Sequence, residues 1–411
     1  MLCDGWLAEM EDAPQTVSER TAHRWMQMCG FRAQAKRKSY YTDSHEREDV
    51  VAYRAEFCDK MLSMSLVRHE FDAEGVCTTI DGDTVLVTHD ESTCYANDCT
   101  RLLWTEKGKT VLLPKTNGSS LMMSGFACAC CGMLAGAVDF FKFGKNREGS
   151  WTCENLVDQL VRVMPMFADR HPGKRLLFAF DNSSNHHKAS SDGLSTANMN
   201  LNPGGAQSKT IRDTRCMLLS GGRYDAESDR FVIYSPKRME MGVQRFVDEE
   251  TGEAKGMRRI LEERALWPRG GLTRDAAAAL LESQPDFMEQ RGMLREAVET
   301  AGHEIIFYPK YHPETNFIEM IWCYMKRRLR AECDFSFNSM SERMKTMVNE
   351  IPVDFVRRAF NRCWRYIEGY KHGLRAGPEL DFAVRKFSSH RGIPADQVQL
   401  CKDEYARVAR G

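Results

Sequence analysis

The chain has 411 residues, of which 42% are hydrophobic and 28% charged, with a formal net charge of -1. These values exclude a low-complexity or wholly disordered polymer and leave room for two or three domains around a sizeable core. A near-neutral total also excludes a uniformly basic coat. It leaves open a local one, because from Lys310 onward there are 19 Lys and Arg against 13 Asp and Glu, enough to hold a phosphate backbone if they cluster.

In chain order, the first predicted element is a short helix. Thr16-Val-Ser-Glu19 resembles a capping box, Ala22, Trp25, Met26 and Cys29 recur at helical spacing, and Gly30-Phe31 supplies the stop. Arg20, His23 and Arg24 fall on its exposed side, which suits the second helix of a helix-turn-helix on DNA. A basic stretch, Lys36-Arg37-Lys38, leads to a second helix around His45 to Leu62, with Val50, Tyr53, Phe57 and Met61 on one side.

Strand-like runs follow at Thr84 to Thr88, Arg101 to Trp104, Thr110 to Leu113 and Leu121 to Phe141. The last includes LMMSGFACACCGMLAGAV, whose Cys128, Cys130 and Cys131 have no histidine nearby in sequence. This reads as core strand rather than zinc site. An amphipathic helix is predicted from about Cys153 to Ala168, with Leu156, Val157, Leu160, Val161 and Met164 inward. Pro172-Gly173 then separates it from the apolar strand Leu176 to Phe180, and Asp181 stands immediately after that strand.

From about Ser190 to Arg295 the pattern is irregular, with turns at Pro203-Gly204-Gly205 and Gly221-Gly222 and helical pieces around Met257 to Leu266 and Thr273 to Ser283. It reads as an insertion. A strand at Glu304 to Tyr308, a Pro-rich turn and a helix of about Asn316 to Arg330 come next, then a basic helical segment from Met340 to Tyr370, a loop at His390 to Pro394 and a helical tail. Fifteen scattered cysteines argue against a disulfide framework. No apolar run reaches the length of a signal peptide core or membrane span, so a soluble intracellular protein is expected.

Strands, helix, strand and a later strand-helix pair describe a mixed α/β domain, in which sites gather at strand ends and helix starts. Asp90 follows TVLVTH, Asp181 follows LLFAF, and Glu319 lies in a helix entered through a Pro-rich turn. If the two strands are neighbours, their aspartates share one sheet edge. Three converging carboxylates without thiolates suit hard cations such as Mg²⁺ or Mn²⁺. Two such ions about 4 Å apart can promote in-line phosphodiester displacement. Spacing alone, however, does not select these three from 58 acidic residues.

The words around them are more specific. VLVTHDES followed by Trp104 and SLMMSGF, then FAFDNSSNH, then FYPKYHPETNFIEMIWCYMKRRLR resemble, in this order, the DDE superfamily of mariner-type transposases between Asp81 and Arg330. VSERTAHRWMQMCGF resembles the end of that family's helix-turn-helix region. The chain departs from the pattern in the 138 positions between Asp181 and Glu319, in Phe317 where a proline is usual, and in only about 35 residues before the linker.

The resemblance implies a ribonuclease-H-like mixed sheet flanked by helices, with an inserted subdomain and helical ends. It divides the chain into a partial helix-turn-helix (1–33), a basic linker and helix (34–75), a catalytic domain (76–335, insertion about 190–295) and a basic helical region (336–411). It implies Asp90, Asp181 and Glu319 as catalytic and metal-holding residues, with Mg²⁺ or Mn²⁺ and two ions. Asn182 and His186 are secondary candidates, for orienting water or phosphate or for turn capping and packing. Arg20, Arg24, Lys36, Arg37, Lys38, Lys326, Arg327, Arg328 and Arg330 are candidate DNA contacts.

The implied partners are transposon ends and a target duplex, with no membrane, a homodimer in the working complex and, in a eukaryote, a nuclear location. A domesticated DNA-binding protein without catalysis and a ribonuclease of the same fold are the alternatives.

Overall fold

The computed structural model describes residues 18–28, 44–72, 74–100, 112–143, 148–205, 210–225, 228, 230–387 and 392–410. Lys36, Arg37, Lys38 and the predicted strand at Arg101 to Trp104 lie outside them. So does half of the predicted strand at Thr110 to Leu113, and its described residues, Leu112 and Leu113, are not in a strand.

Helix α1 (Glu19–Met28) is capped by Ser18, whose hydroxyl accepts the Thr21 amide at 3.2 Å. The expected apolar face is not buried: Ala22 is exposed and Trp25 is 45% exposed. Helix α2 (Glu48–Ser63) does pack, burying Val50, Phe57, Cys58 and Met61, and Tyr53 donates its hydroxyl to the Phe307 carbonyl at 2.8 Å. A small antiparallel pair, β1 (Arg68–Phe71) and β2 (Cys77–Ile80), precedes the main sheet.

That sheet begins with β3 (Thr84–Tyr95), β4 (Ser120–Cys128) and β5 (Gly132–Phe141). Helix α3 (Cys153–Ala168) then crosses to β6 (Arg175–Phe180). The helix starts at a capping box in which Thr152 and Asn155 satisfy each other's amides. Its apolar stripe is rotated from the expected one: Val161 is 53% exposed, while Val163 and Phe167 are fully buried.

The segment after β6 carries a long antiparallel hairpin, β7 (Thr214–Asp225) and β8 (Arg230–Gln244), which periodicity did not reveal. Gly221-Gly222 is not its turn. The pairing register shifts between Ser220 and Gly222, so the glycines form a bulge in mid-strand, with Gly221 at φ +81° and no room for a Cβ at Gly222 against the Phe231 ring. Helices α4 (Gly256–Glu263), α5 (Arg274–Glu282) and α6 (Pro285–Met288) close a separate core with Met199, Ile211 and Phe246. Arg264 is buried there against Asp286 in a two-pronged pair at 2.8 Å. Arg264→Ala strands the Asp286 carboxylate and is expected to cost about 3–5 kcal/mol, read as faster hydrogen exchange confined to this module.

Helix α7 (Met293–Thr300) returns the chain to the sheet, where β9 (Glu304–Phe307) pairs parallel with β6. Then come α8 (Ile318–Ala331), α9 (Phe337–Met347), α10 (Val353–Lys371), α11 (Pro378–Lys386) and α12 (Val398–Arg410). The predicted basic helix from Met340 to Tyr370 is therefore two helices. Pro352 caps the second, as expected of a residue that starts but cannot continue a helix.

The sheet order is β5-β4-β3-β6-β9, with β5, β4 and β3 antiparallel and β3, β6 and β9 parallel. This is the ribonuclease-H-like α/β arrangement. Alternation along β3 sends Leu86 and Cys94 to the face covered by α2, α8 and α10, and Val85 and Val87 to the face covered by α3 and α7. No described helix is long and apolar enough to cross a membrane.

Candidate active site

The parallel register of β3 and β6 places Thr88 beside Ala179. Continuing it by two residues brings Asp90 beside Asp181, where β6 ends. Asp90 lies on the α8 face, and Glu319 stands in the first turn of α8. All three line one open cleft of about 480 Å³ with Asn182, Ser183, Lys310, Tyr311 and Asn316. The predicted carboxylates thus come together despite the 138 positions between the last two, because α7 and β9 return the chain to the sheet.

Asp90 and Asp181 are each held through the carboxylate itself, whereas Glu319 is placed through the backbone at the start of its helix. Trp322, one turn after Glu319 and 1% exposed, donates its indole N–H to Asp90 Oδ2 at 3.0 Å. Asp181 is gripped by His186, whose Nδ1 lies 2.5 Å from its Oδ1 and whose ring is 2% exposed. Glu319 is set by Asn316. Thr88 donates its hydroxyl to Asn316 Oδ1 at 2.5 Å, Tyr308 donates to Thr88 at 2.9 Å, and the Glu319 amide bonds the Asn316 carbonyl at 3.3 Å.

The turn before Asn316 is anchored in turn by buried His312. Its Nδ1 meets Glu314 at 2.7 Å and its Nε2 meets Arg54 of α2 at 3.2 Å. Phe317, at the departure from the family pattern, is buried edge-on against Phe360.

Strand alternation excludes Glu91 from the Asp90 face, and Glu91 indeed points the other way. It nevertheless reaches the site, because His186 Nε2 lies 3.4 Å from its Oε1. Burial alone would lower the His186 pKa, but the bonds to Asp181 and Glu91 reverse this and raise it to about 10. His186 is therefore an imidazolium between two carboxylates. Beside it His89 is fully buried, which lowers its pKa to about 4 and keeps it neutral. Ser124 donates its hydroxyl to Gln159 at 2.6 Å, so His89 Nε2 must carry the proton it shares with Ser124 at 2.8 Å.

Asn182 accepts from His187 Nε2 at 2.8 Å. That bond holds the turn after β6.

Burial, then Glu319, Glu91 and Asp181, push Asp90 well above the usual carboxylate range. Burial also raises Glu319, against the pull of Lys326. These crowded carboxyl groups face one another across a cleft whose described lining also includes Lys310 but no thiol. Such a donor set fits hard divalent cations.

The basic candidates are dispersed. Arg20 and Arg24 are exposed on α1. Along α8, Arg327 is exposed, Arg328 pairs with Glu350 at 2.7 Å and Arg330 with Asp98 at 2.9 Å. Lys326, half-buried, lies in a groove beside Cys94 and Asp98. Lys310 and Tyr311 at the cleft were missed by sequence reasoning, although both sit inside the Pro-rich word that ends at Glu319.

No family model and no curated protein matches the chain. Among solved structures the chain is similar to a Mos1 transposase paired-end complex with left transposon end, at 11% identity and a TM-score of 0.44, covering 86% of this chain and 70% of that one. It is also similar to a Mos1 mariner paired end complex with Mn, at 12% identity, a TM-score of 0.45 and the same coverages. A pre-cleavage Mos1 transpososome, at 10% identity and a TM-score of 0.45, likewise covers 86% of this chain and 70% of that one.

Proposed function

We propose that the chain is a divalent-metal-dependent endonuclease of the transposase type, cutting DNA phosphodiester bonds at the cleft of Asp90, Asp181 and Glu319. The observation that carries this is the convergence of three carboxylates, from two parallel strands and a helix start, in one open cleft.

Asp90, Asp181 and Glu319 are the residues to hold Mg²⁺ or Mn²⁺. When bound, two such ions supply charge stabilisation to the attacking and leaving oxygens of an in-line displacement. The protein's own part is orientation. Trp322 fixes one Asp90 oxygen and His186 one Asp181 oxygen, so these two carboxylates have little freedom to lose on binding, and Asn316 sets the start of α8 from which Glu319 projects. Lys310 at the rim and exposed Arg327 on α8 supply positive charge for the substrate backbone.

Strand transfer into a target duplex, recognition of transposon ends and action as a homodimer belong to the same reading, as does a nuclear location in a eukaryotic cell. They are tested by end-joined products and by the mass of the DNA complex.

Nicking of labelled duplex DNA that requires Mg²⁺ or Mn²⁺ is expected, with weaker action on duplex RNA and on an RNA–DNA hybrid. Equal or better cleavage of the hybrid would reassign the site to a ribonuclease, and salt-dependent DNA binding without cleavage under either ion would overturn the enzyme. A second expectation concerns stability. Mn²⁺ at a hundredfold excess over its dissociation constant should stabilise the wild type by about 2.7 kcal/mol. Asp90→Asn should lose that gain while melting higher than wild type without metal, since it removes a buried anion from a like-charged cluster. Thermal denaturation with and without Mn²⁺ reads both.

A further inference from the structure

A second cluster lies at the other end of the sheet. Cys128 ends β4 and is fully buried, as a core-strand residue should be, but Cys130 and Cys131 are in the turn to β5. The fold brings to this turn the histidines that the local sequence lacks. His171, from the turn between α3 and β6, sets its Nε2 3.6 Å from both Cys128 Sγ and Cys131 Sγ. His69 of β1 is 4% exposed, and its Nδ1 lies 3.0 Å from the Thr79 hydroxyl. Its Nε2 is buried and unmatched by any partner at good hydrogen-bond geometry, and the ring interacts with the Cys130 thiol.

The local geometry is that of a metal knuckle. Cys128 and Cys131 have the two-residue spacing used by zinc sites. The Cys131 amide points at Cys128 Sγ at 3.4 Å, and Gly132 follows at φ +74°. With Zn–S near 2.3 Å and Zn–N near 2.0–2.1 Å, a tetrahedral ion sets its sulfur and nitrogen ligands about 3.6 Å apart. Both His171 contacts have that length. The two sulfurs are 3.0 Å apart as free thiols, so they need only open by somewhat under about 1 Å to reach the corresponding sulfur–sulfur edge.

Arg357 donates to the carbonyls of Ala129 and Cys130 at 3.3 Å, fixing the turn and placing a cation beside it.

We propose that this cluster is a structural zinc site, with Cys128, Cys131 and His171 as the ligands that already lie together and Cys130, which must swing in from beside His69, as the fourth. Binding forms the zinc–sulfur and zinc–nitrogen bonds and releases the ligands' thiol and imidazole protons to solvent. The ion would tie the β4–β5 turn, the α3–β6 turn and the β1–β2 pair together where β3 and β6 begin, whereas the carboxylates stand where those strands end. The site is therefore independent of the proposed catalytic ions.

The test is metal analysis of the full chain after dialysis against a weak chelator, with cobalt substitution as a spectroscopic readout. The proposal expects about one zinc per chain in the wild type and in Asp181→Ala, and loss of that zinc in Cys131→Ala and His171→Ala. Co²⁺ in the wild type should show the absorption of tetrahedral thiolate coordination. This last measurement needs no variant to fold. Wild type without stoichiometric zinc, zinc retained by both ligand variants, a Cys128–Cys131 disulfide found by mass spectrometry, or Co²⁺ without thiolate bands would each overturn it.

Discussion

Asp181→Ala is expected to slow metal-dependent DNA strand cleavage at least about a thousandfold. Loss of an ion ligand forfeits several kcal/mol of charge stabilisation, and about 4 kcal/mol corresponds to that factor. Asp181 is the most open of the three carboxylates, its side chain 47% exposed, so its removal leaves no cavity in the core. Folding and salt-dependent DNA affinity should therefore stay near wild type while single-turnover cleavage disappears. The replacement also leaves His186 facing only Glu91. Asp181→Asn keeps the shape of the side chain and should be as inactive, which separates the loss of charge from any loss of packing. Cleavage by Asp181→Ala at the wild-type rate would remove Asp181 from the site.

Trp322→Ala should be the most damaging change to stability near the cleft. The side chain is fully buried among Phe317, Ile321 and Met325 in the core on the α8 face, and truncating such a residue costs about 3–5 kcal/mol. Gly125 of β4 leaves the space it occupies: a Cβ there would meet Trp322 Cη2 at 3.0 Å. Gly125, Trp322 and Asp90 are thus one packing unit spanning β4, α8 and β3.

Trp322→Phe separates the two roles of the indole. It keeps most of the buried area but removes the N–H that Asp90 accepts, leaving a buried acceptor unsatisfied at about 1–3 kcal/mol. We expect Trp322→Phe to fold, to bind DNA and to cut at least tenfold more slowly. Urea denaturation together with single-turnover cleavage distinguishes this from a purely packing role, in which the rate would stay at the wild-type value.

Much of the fold that positions the cleft was legible from periodicity. Alternation along Thr84 to Thr88 and the apolar run before Asp181 mark β3 and β6, and the i, i+4 pattern marks α3, because each of these elements is covered on a face whose demand shows in sequence. The β7–β8 hairpin was not legible. It is only two strands wide and half solvated, with Met217, Met239, Met241 and Val243 all exposed, and its glycines serve a bulge where composition suggests a turn.

The candidate site shows the same division. Asp90, Asp181 and Glu319 stand at element ends, where a local reading can find them. Glu91, Trp322 and His312 act through partners 95, 232 and 258 positions away, and no local window contains such pairs. His171 and His69 escaped for the same reason: a search for histidine near Cys128 in sequence cannot see a turn 43 residues on.

Radical footprinting of the metal site tests most directly whether Asp90, Asp181 and Glu319 hold ions together. Fe²⁺ exchanged into the site, with ascorbate and peroxide, cleaves the polypeptide next to wherever the ion sits, without any need to know the DNA substrate. The predicted result is three groups of cuts, near residues 90, 181 and 319, that are suppressed by excess Mg²⁺ and absent from Asp181→Ala. Cuts at only one of these positions, or an unchanged pattern in Asp181→Ala, would contradict a shared metal centre.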